Sequence, residues 1–187
     1  MGKTYSQIDD DLAAFIGRQK MFFVATAPLS SAGHVNVSPK GYNCFRLISP
    51  MRVAYADLGG SGIETVAHVR ENGRITIMFC AYEGPAMILR LYGKAQVMQF
   101  DEPGFDKELS LFPDIERARN IIFVDVERIA DSCGWGVPFF EFKGERDQLK
   151  RAVNHRPQDE WAERRYTSNA ESIDGLPGIR RARETPS

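Results

Sequence analysis

The chain has 187 residues, of which 43% are apolar and 26% charged, and a formal net charge of −1. That length suits one domain with a substantial core, and the composition is ordinary for a globular protein. The charge leaves no footing for nucleic-acid binding driven by bulk electrostatics, and no stretch approaches the apolar length of a membrane span.

The N-terminal residues MGKTYSQIDDD are too polar for a secretory signal. Ser6–Arg18 reads as an amphipathic helix, with Ile8, Leu12, Phe15 and Ile16 on one face and Asp9, Asp10 and Asp11 in the first turn, where the helix dipole favours them. Phe22–Ala27 (FFVATA) is strand-like, Pro28–Gly33 is a turn, and Val35–Val37 resumes as a strand, so the pair makes a hairpin. Ser38-Pro39-Lys40-Gly41 then breaks the pattern, since proline removes a ladder donor and glycine permits a bend. Lys40 falls on that irregular backbone, either solvated or in contact with an anion.

Leu47 and Ile48 continue the apolar pattern, and Val53–Ala56 is a short strand. A glycine-rich turn, Gly59-Gly60-Ser61-Gly62, leads into a short helix that Gly73 ends. A helix N-terminus offers unpaired amides that suit a phosphate. Ser61 with Glu64 also has the spacing of a capping box, in which the helix satisfies its own amides, and spacing alone favours the cap. On the same helix, Glu64 and His68 have the spacing of an i,i+4 contact.

Arg74–Ala81 is nearly all apolar, as in a buried strand, and Ala86–Phe100 alternates over its length. Arg90 and Lys94 share one face of it, open to solvent or to an anionic ligand. Asp101–Asn120 reads as helix in pieces, with Phe105, Leu109 and Phe112 inward, and Ile121–Ile129 as a further strand. Strands joined mostly by tight turns argue against a doubly wound sheet and for a small antiparallel barrel. The final third holds an irregular loop, Ser132–Pro138, with Cys133 and Trp135. Two short helices follow, over Gln148–Asn154 and Glu160–Tyr166, then a turn-rich segment at Ser172–Gly178 and a basic tail at 180–183. Trp135 can stack on a planar ligand or cover the barrel end.

Side-chain chemistry is sparse. His34, His68 and His155 are isolated and outside any metal-ligand spacing, so no metal site is expected. Cys44, Cys80 and Cys133 lie far apart and fit a reduced, cytoplasmic protein. Cys133 reads as a structural thiol, because no histidine sits near it in sequence to activate it. Catalysis, if present, therefore falls to a bound cofactor.

Taken as a set, FFVATA (22–27), VNVSPKG (35–41), VAYADLGGSGIETVAHVRENGRITIMF (53–79) and ILRLYGKAQV (88–97) resemble the pyridoxamine 5′-phosphate oxidase-like family of FMN-binding split barrels. SCGWGVP and SIDGLPG resemble the C-terminal part of a subgroup within it. The resemblance implies an α+β chain, mainly β with flanking helices, built on a six-stranded antiparallel Greek-key split barrel. The N-terminal helix would span 6–18, the barrel core about 21–131 and a C-terminal loop and helical extension 132–187, all in one domain.

It further implies a homodimer with FMN in a groove between subunits, and a flavin-dependent oxidoreductase acting on a small-molecule substrate. Ser38, Lys40, Gly41, Ser61, Gly62 and Thr65 would stand near the phosphate, with Arg90 and Trp135 near the ring or substrate. Family oxidases that act on pyridoxamine phosphate carry an Arg-Lys pair at the start of the helix, where this chain has Glu64-Thr65. The alternatives are a non-catalytic carrier of flavin, F420 or haem, and a dimeric scaffold without a cofactor.

Overall fold

The computed structural model describes residues 2–181. Its centre is one antiparallel sheet with the strand order β3-β2-β6-β7-β8-β5-β4, and β1 pairs with β8 beside this path. The strands are β1 (Thr4–Tyr5), β2 (Phe22–Thr26), β3 (Asn36–Lys40), β4 (Phe45–Ser49), β5 (Arg52–Asp57), β6 (Arg74–Cys80), β7 (Ile88–Gln99) and β8 (Asn120–Ser132). Helices α1 (Asp10–Arg18), α2 (Glu64–Asn72), α3 (Phe105–Leu109), α4 (Gln148–Asn154) and α5 (Gln158–Ser168) flank it. This is the expected mainly-β split-barrel architecture, with the ladder left open between β3 and β4.

Among the described residues, eight strands stand where six were expected. The additions are β1, only two residues long, and β4, an edge strand whose residues are at best half-buried. Neither shows the clean alternation that a sequence pattern detects.

The hairpin of β2 and β3 forms, but β3 runs through Pro39 and Lys40 rather than breaking at Ser38, with Lys40 opposite Phe22. β3 ends the ladder path, and an edge strand tolerates a residue that cannot donate. Lys40 is thus on regular strand. Helix α1 starts at Asp10 rather than Ser6 because Asp9 caps it, its carboxylate accepting the Leu12 amide at 2.9 Å.

One face of the curved sheet lines the interior, where Val24 stands opposite Ile77, Ile77 opposite Leu91, Val53 opposite Val124 and Tyr55 opposite Ile122. Val24, Val53, Tyr55, Ile77, Leu89, Leu91, Ile122 and Val124 are all fully enclosed. β5 is buried at every residue after Arg52, so its last residue, Asp57, enters the core region as a carboxylate. The 12-residue β7 and 13-residue β8 form the longest ladder, with a register shift at Tyr92/Gly93. A side chain at Gly93 would collide with the Asp125 carbonyl, so the sharp approach there needs glycine. Of the stretch 101–120, only α3 is α-helical, with Phe105 and Phe112 turned inward.

Candidate functional site

A cleft of about 320 Å³ opens between β3, the end of β5 and the glycine turn that leads into α2. Its wall includes Ser38, Lys40, Gly41, Ser61, Gly62 and Thr65, six side chains or turns expected to meet a phosphate. They come from two stretches some twenty residues apart in sequence, and the curvature of the sheet brings them together.

The floor of the cleft is ionic. Asp57 is buried, with Lys40 Nζ 3.0 Å from one carboxylate oxygen and Arg119 Nε 2.8 Å from the other. Backbone register fixes this arrangement: the Arg119 amide donates to the Asp57 carbonyl at 2.8 Å, one residue before β8 pairs with β5. Burial alone would raise the Asp57 pKa. Arg119 and Lys40 outweigh that and hold the carboxyl well below the usual range. Arg165, from α5, also reaches the turn, its Nη1 3.4 Å from the Gly60 carbonyl. In the cleft wall Lys40 and Arg119 balance Asp57 and Glu64, and Arg165 adds a further cation at the turn.

The sequence pattern offered no sign of Asp57, Arg119 or Arg165 as site residues. Each reads locally as a strand end, a loop residue or a helix surface, and only tertiary register assembles them. The cations at the cleft and its turn come from residues 40, 119 and 165, none of them at the start of α2.

The expected capping box is absent. The residue preceding α2 as its cap is Ile63, with no side-chain hydrogen bond, and Glu64 instead accepts the Ile173 amide at 3.4 Å. The reason is tertiary: the segment after α5 packs onto the turn and gives Glu64 a distant partner. His68 likewise makes no hydrogen bond to Glu64. It is buried, with Nδ1 3.0 Å from the Thr26 hydroxyl. Thr26 and Thr65 both accept from Asn36 Nδ2, at 3.3 and 3.0 Å, and the Ser38 hydroxyl donates to Asn36 Oδ1 at 3.1 Å. Ser38 and Thr65 on the cleft wall are thus held by one asparagine.

Arg90 and Trp135 do not join this cleft within the chain. Arg90 donates to the Ser132 hydroxyl at 3.0 Å, and Trp135 is 84% exposed on the loop after β8. A second and larger cleft, about 1170 Å³, lies near that loop, with Cys133, Tyr82 and Phe140 in its wall.

The family model described as pyridoxamine 5′-phosphate oxidase matches residues 8–133. The chain belongs to the pyridoxamine 5′-phosphate oxidase family. It is 36% identical over 196 residues to the pyridoxamine 5′-phosphate oxidase family protein ustO of Aspergillus flavus, an alignment covering 95% of this chain and 78% of that one. Among solved structures, HupZ of Group A Streptococcus matches with a TM-score of 0.52 at 24% identity, over 65% of this chain and 91% of that one. A single-residue variant of the same HupZ protein gives 0.54 at 23% identity, over 67% and 99%. At that identity the likeness shows the fold. The family match ends at Cys133, so Arg165, which contacts the Gly60 carbonyl of the turn, lies outside the matched region.

Proposed function

We propose that the cleft holds the phosphate end of FMN, and that the protein is a flavin-dependent oxidoreductase acting on a small molecule. The observation that carries this reading is the joining of Ser38, Lys40, Gly41, Ser61, Gly62 and Thr65 around one polar cleft with a cationic floor. The donor set fits a phosphate monoester. Lys40 Nζ has donors beyond the one given to Asp57, and the Thr65 hydroxyl, which accepts from Asn36, keeps its own proton to give. Among the described residues, the Ser61 and Gly62 amides have no protein acceptor. Bound flavin supplies two-electron redox chemistry at its ring, and the chain supplies binding, orientation and charge.

Asp57 sets the geometry of this grip. By holding Lys40 on one oxygen and Arg119 on the other, it fixes two cations without neutralising both. Pre-placed charges in a partly dry cleft act more strongly on an anion than mobile surface lysines do.

A volume of about 320 Å³ is small for a ligand of this size, near the bottom of the roughly 300–1,000 Å³ range of ligand pockets. We therefore place a second wall on a partner copy. Both ends of the sheet path expose apolar residues, Val37 at 61% on β3 and Ile48 at 41% on β4, next to unpaired ladder edges. Among the described residues no helix is long and apolar enough to cross a membrane. The three free thiols fit our placement of the protein in the cytoplasm.

One observation favours a second reading, a split-barrel dimer without flavin. The Glu64 carboxylate folds over Gly62 at the rim and opposes an anion there. Reconstitution with FMN and a visible spectrum separates the two: flavin bands retained through gel filtration support the oxidoreductase, and a colourless protein supports the scaffold. A Soret band on purification would instead assign haem.

A further inference from the structure

The glycine turn is held from the far end of the chain. The Gly60 carbonyl accepts from Arg119 Nη1 at 3.2 Å, Arg165 Nη1 at 3.4 Å and Asn169 Nδ2 at 3.2 Å. Asn169 Nδ2 also lies 3.2 Å from the Ser61 carbonyl, and Arg165 Nη1 donates to Asn169 Oδ1 at 3.3 Å. Asn169 is fully buried and 109 residues from Gly60. Gly59, at φ +96°, lets the Arg165 guanidinium in: a Cβ there would stand 3.0 Å from Nη1, in a conformation that side chains rarely adopt.

These contacts fix which way the amides point. In a planar trans peptide the C=O and the following N–H are opposed, and no cis peptide occurs among the described residues. With the Gly60 and Ser61 carbonyls turned toward Asn169, the Ser61 and Gly62 amides turn the other way. Successive outward amides in a turn form an anion-binding concavity. Arg119, only 5% exposed, is the second element. Its Nε is committed to Asp57 and its Nη1 to Gly60, while Nη2 has no acceptor among the described residues and the side chain forms part of the cleft wall.

We propose that Arg165 and Asn169 are positioning residues: they orient the Gly60–Ser61–Gly62 peptides so that two amides, with Arg119, grip a phosphate monoester. This rests on the flavin-site reading above and adds that the cleft is incomplete without α5 and the residue after it. It also explains how the chain dispenses with basic residues at 64 and 65. The cations act from below the turn, while α5 holds its backbone.

The test compares FMN with riboflavin, which lacks only the phosphate, by flavin-fluorescence titration of the full chain. The wild type binds FMN more tightly than riboflavin. Arg165→Met and Asn169→Leu reduce that preference by about tenfold or more and leave riboflavin affinity unchanged, a pattern that general loosening of the fold does not produce. Where Arg165→Met does not fold, Asn169→Leu, similar in volume and without donors, decides. A preference retained in the folded variants overturns the inference and leaves the flavin site standing. Should the wild type bind neither flavin, the flavin reading fails. Inorganic phosphate titrated into 15N-labelled protein then decides the inference. Shifts centred on the Ser61 and Gly62 amides and lost in Asn169→Leu sustain it, and their absence in the wild type overturns it.

Discussion

Lys40 Nζ and Asp57 Oδ1 are 3.0 Å apart and join the two ends of an open sheet. Lys40 closes β3, at one end of the ladder path, and Asp57 closes β5, next to the other end. Where the barrel lacks backbone hydrogen bonds, an ion pair spans the split, and the cleft sits at that seam. The same lysine thus serves the fold and the proposed phosphate site.

Replacing Lys40 by Met tests both roles. Asp57 keeps Arg119 but loses a charge-assisted hydrogen bond, which costs about 1.5–3 kcal/mol of stability. FMN retention falls with it. Urea denaturation and dialysis against FMN-free buffer read the two effects separately, and unchanged flavin affinity would remove Lys40 from the phosphate grip.

Asp57→Asn leaves Lys40 and Arg119 facing each other without their counter-charge, and the loss is larger, about 3–5 kcal/mol. The acid limb changes too. The folded pKa of Asp57 lies below its unfolded value, so its contribution is present above about pH 3.9 and fades as pH falls further. Urea midpoints of the wild type fall on acidification below that point, and those of Asp57→Asn fall less. Parallel curves would show that Asp57 does not govern the acid transition.

His68 gives a different window. Burial lowers its pKa, against the raising influence of Asp174 and Glu64, so the fold keeps it neutral where the unfolded chain takes up a proton. Stability therefore falls as pH drops below about 6.5, the unfolded value, and the loss is confined to that side. His68→Leu removes this slope. The difference between wild-type and His68→Leu stability at pH 7.5 and pH 5.5 (values on either side of about 6.5) measures it, and an equal difference at both contradicts a neutral buried imidazole.

Gly178 carries the C-terminal segment against α2. A Cβ there would collide with the Asn169 carbonyl and press on Ile63, the residue just before α2. Gly178→Ala therefore lowers stability by about 1–3 kcal/mol, read as a shift in thermal midpoint. A neutral result would mean that this segment is not packed as described.

Periodicity and turn chemistry made most of the barrel legible, since β2, β5, β6, β7 and β8 carry apolar residues at strand spacing and Gly73 ends α2 in the left-handed conformation. What failed was local reasoning about groups with distant partners. Ser61 and Glu64 have capping-box spacing, yet Asn169 and Ile173 intervene from more than a hundred residues away. Lys40 read as solvated or in contact with an anion, and nothing local pointed to Asp57, 17 residues on in sequence and opposite it across the seam. Arg119 and Arg165 carried no local signal, because a buried arginine is recognisable only once its carboxylate or carbonyl is placed.

The most direct test of the cleft as a flavin site is titration of the full-length, flavin-stripped protein with FMN, followed by visible absorbance and flavin fluorescence. The cationic floor and the unpaired amides predict saturable binding near one FMN per chain, weakened by raised ionic strength and by Lys40→Met. Absence of binding at saturating FMN, in protein shown to be folded, would contradict it.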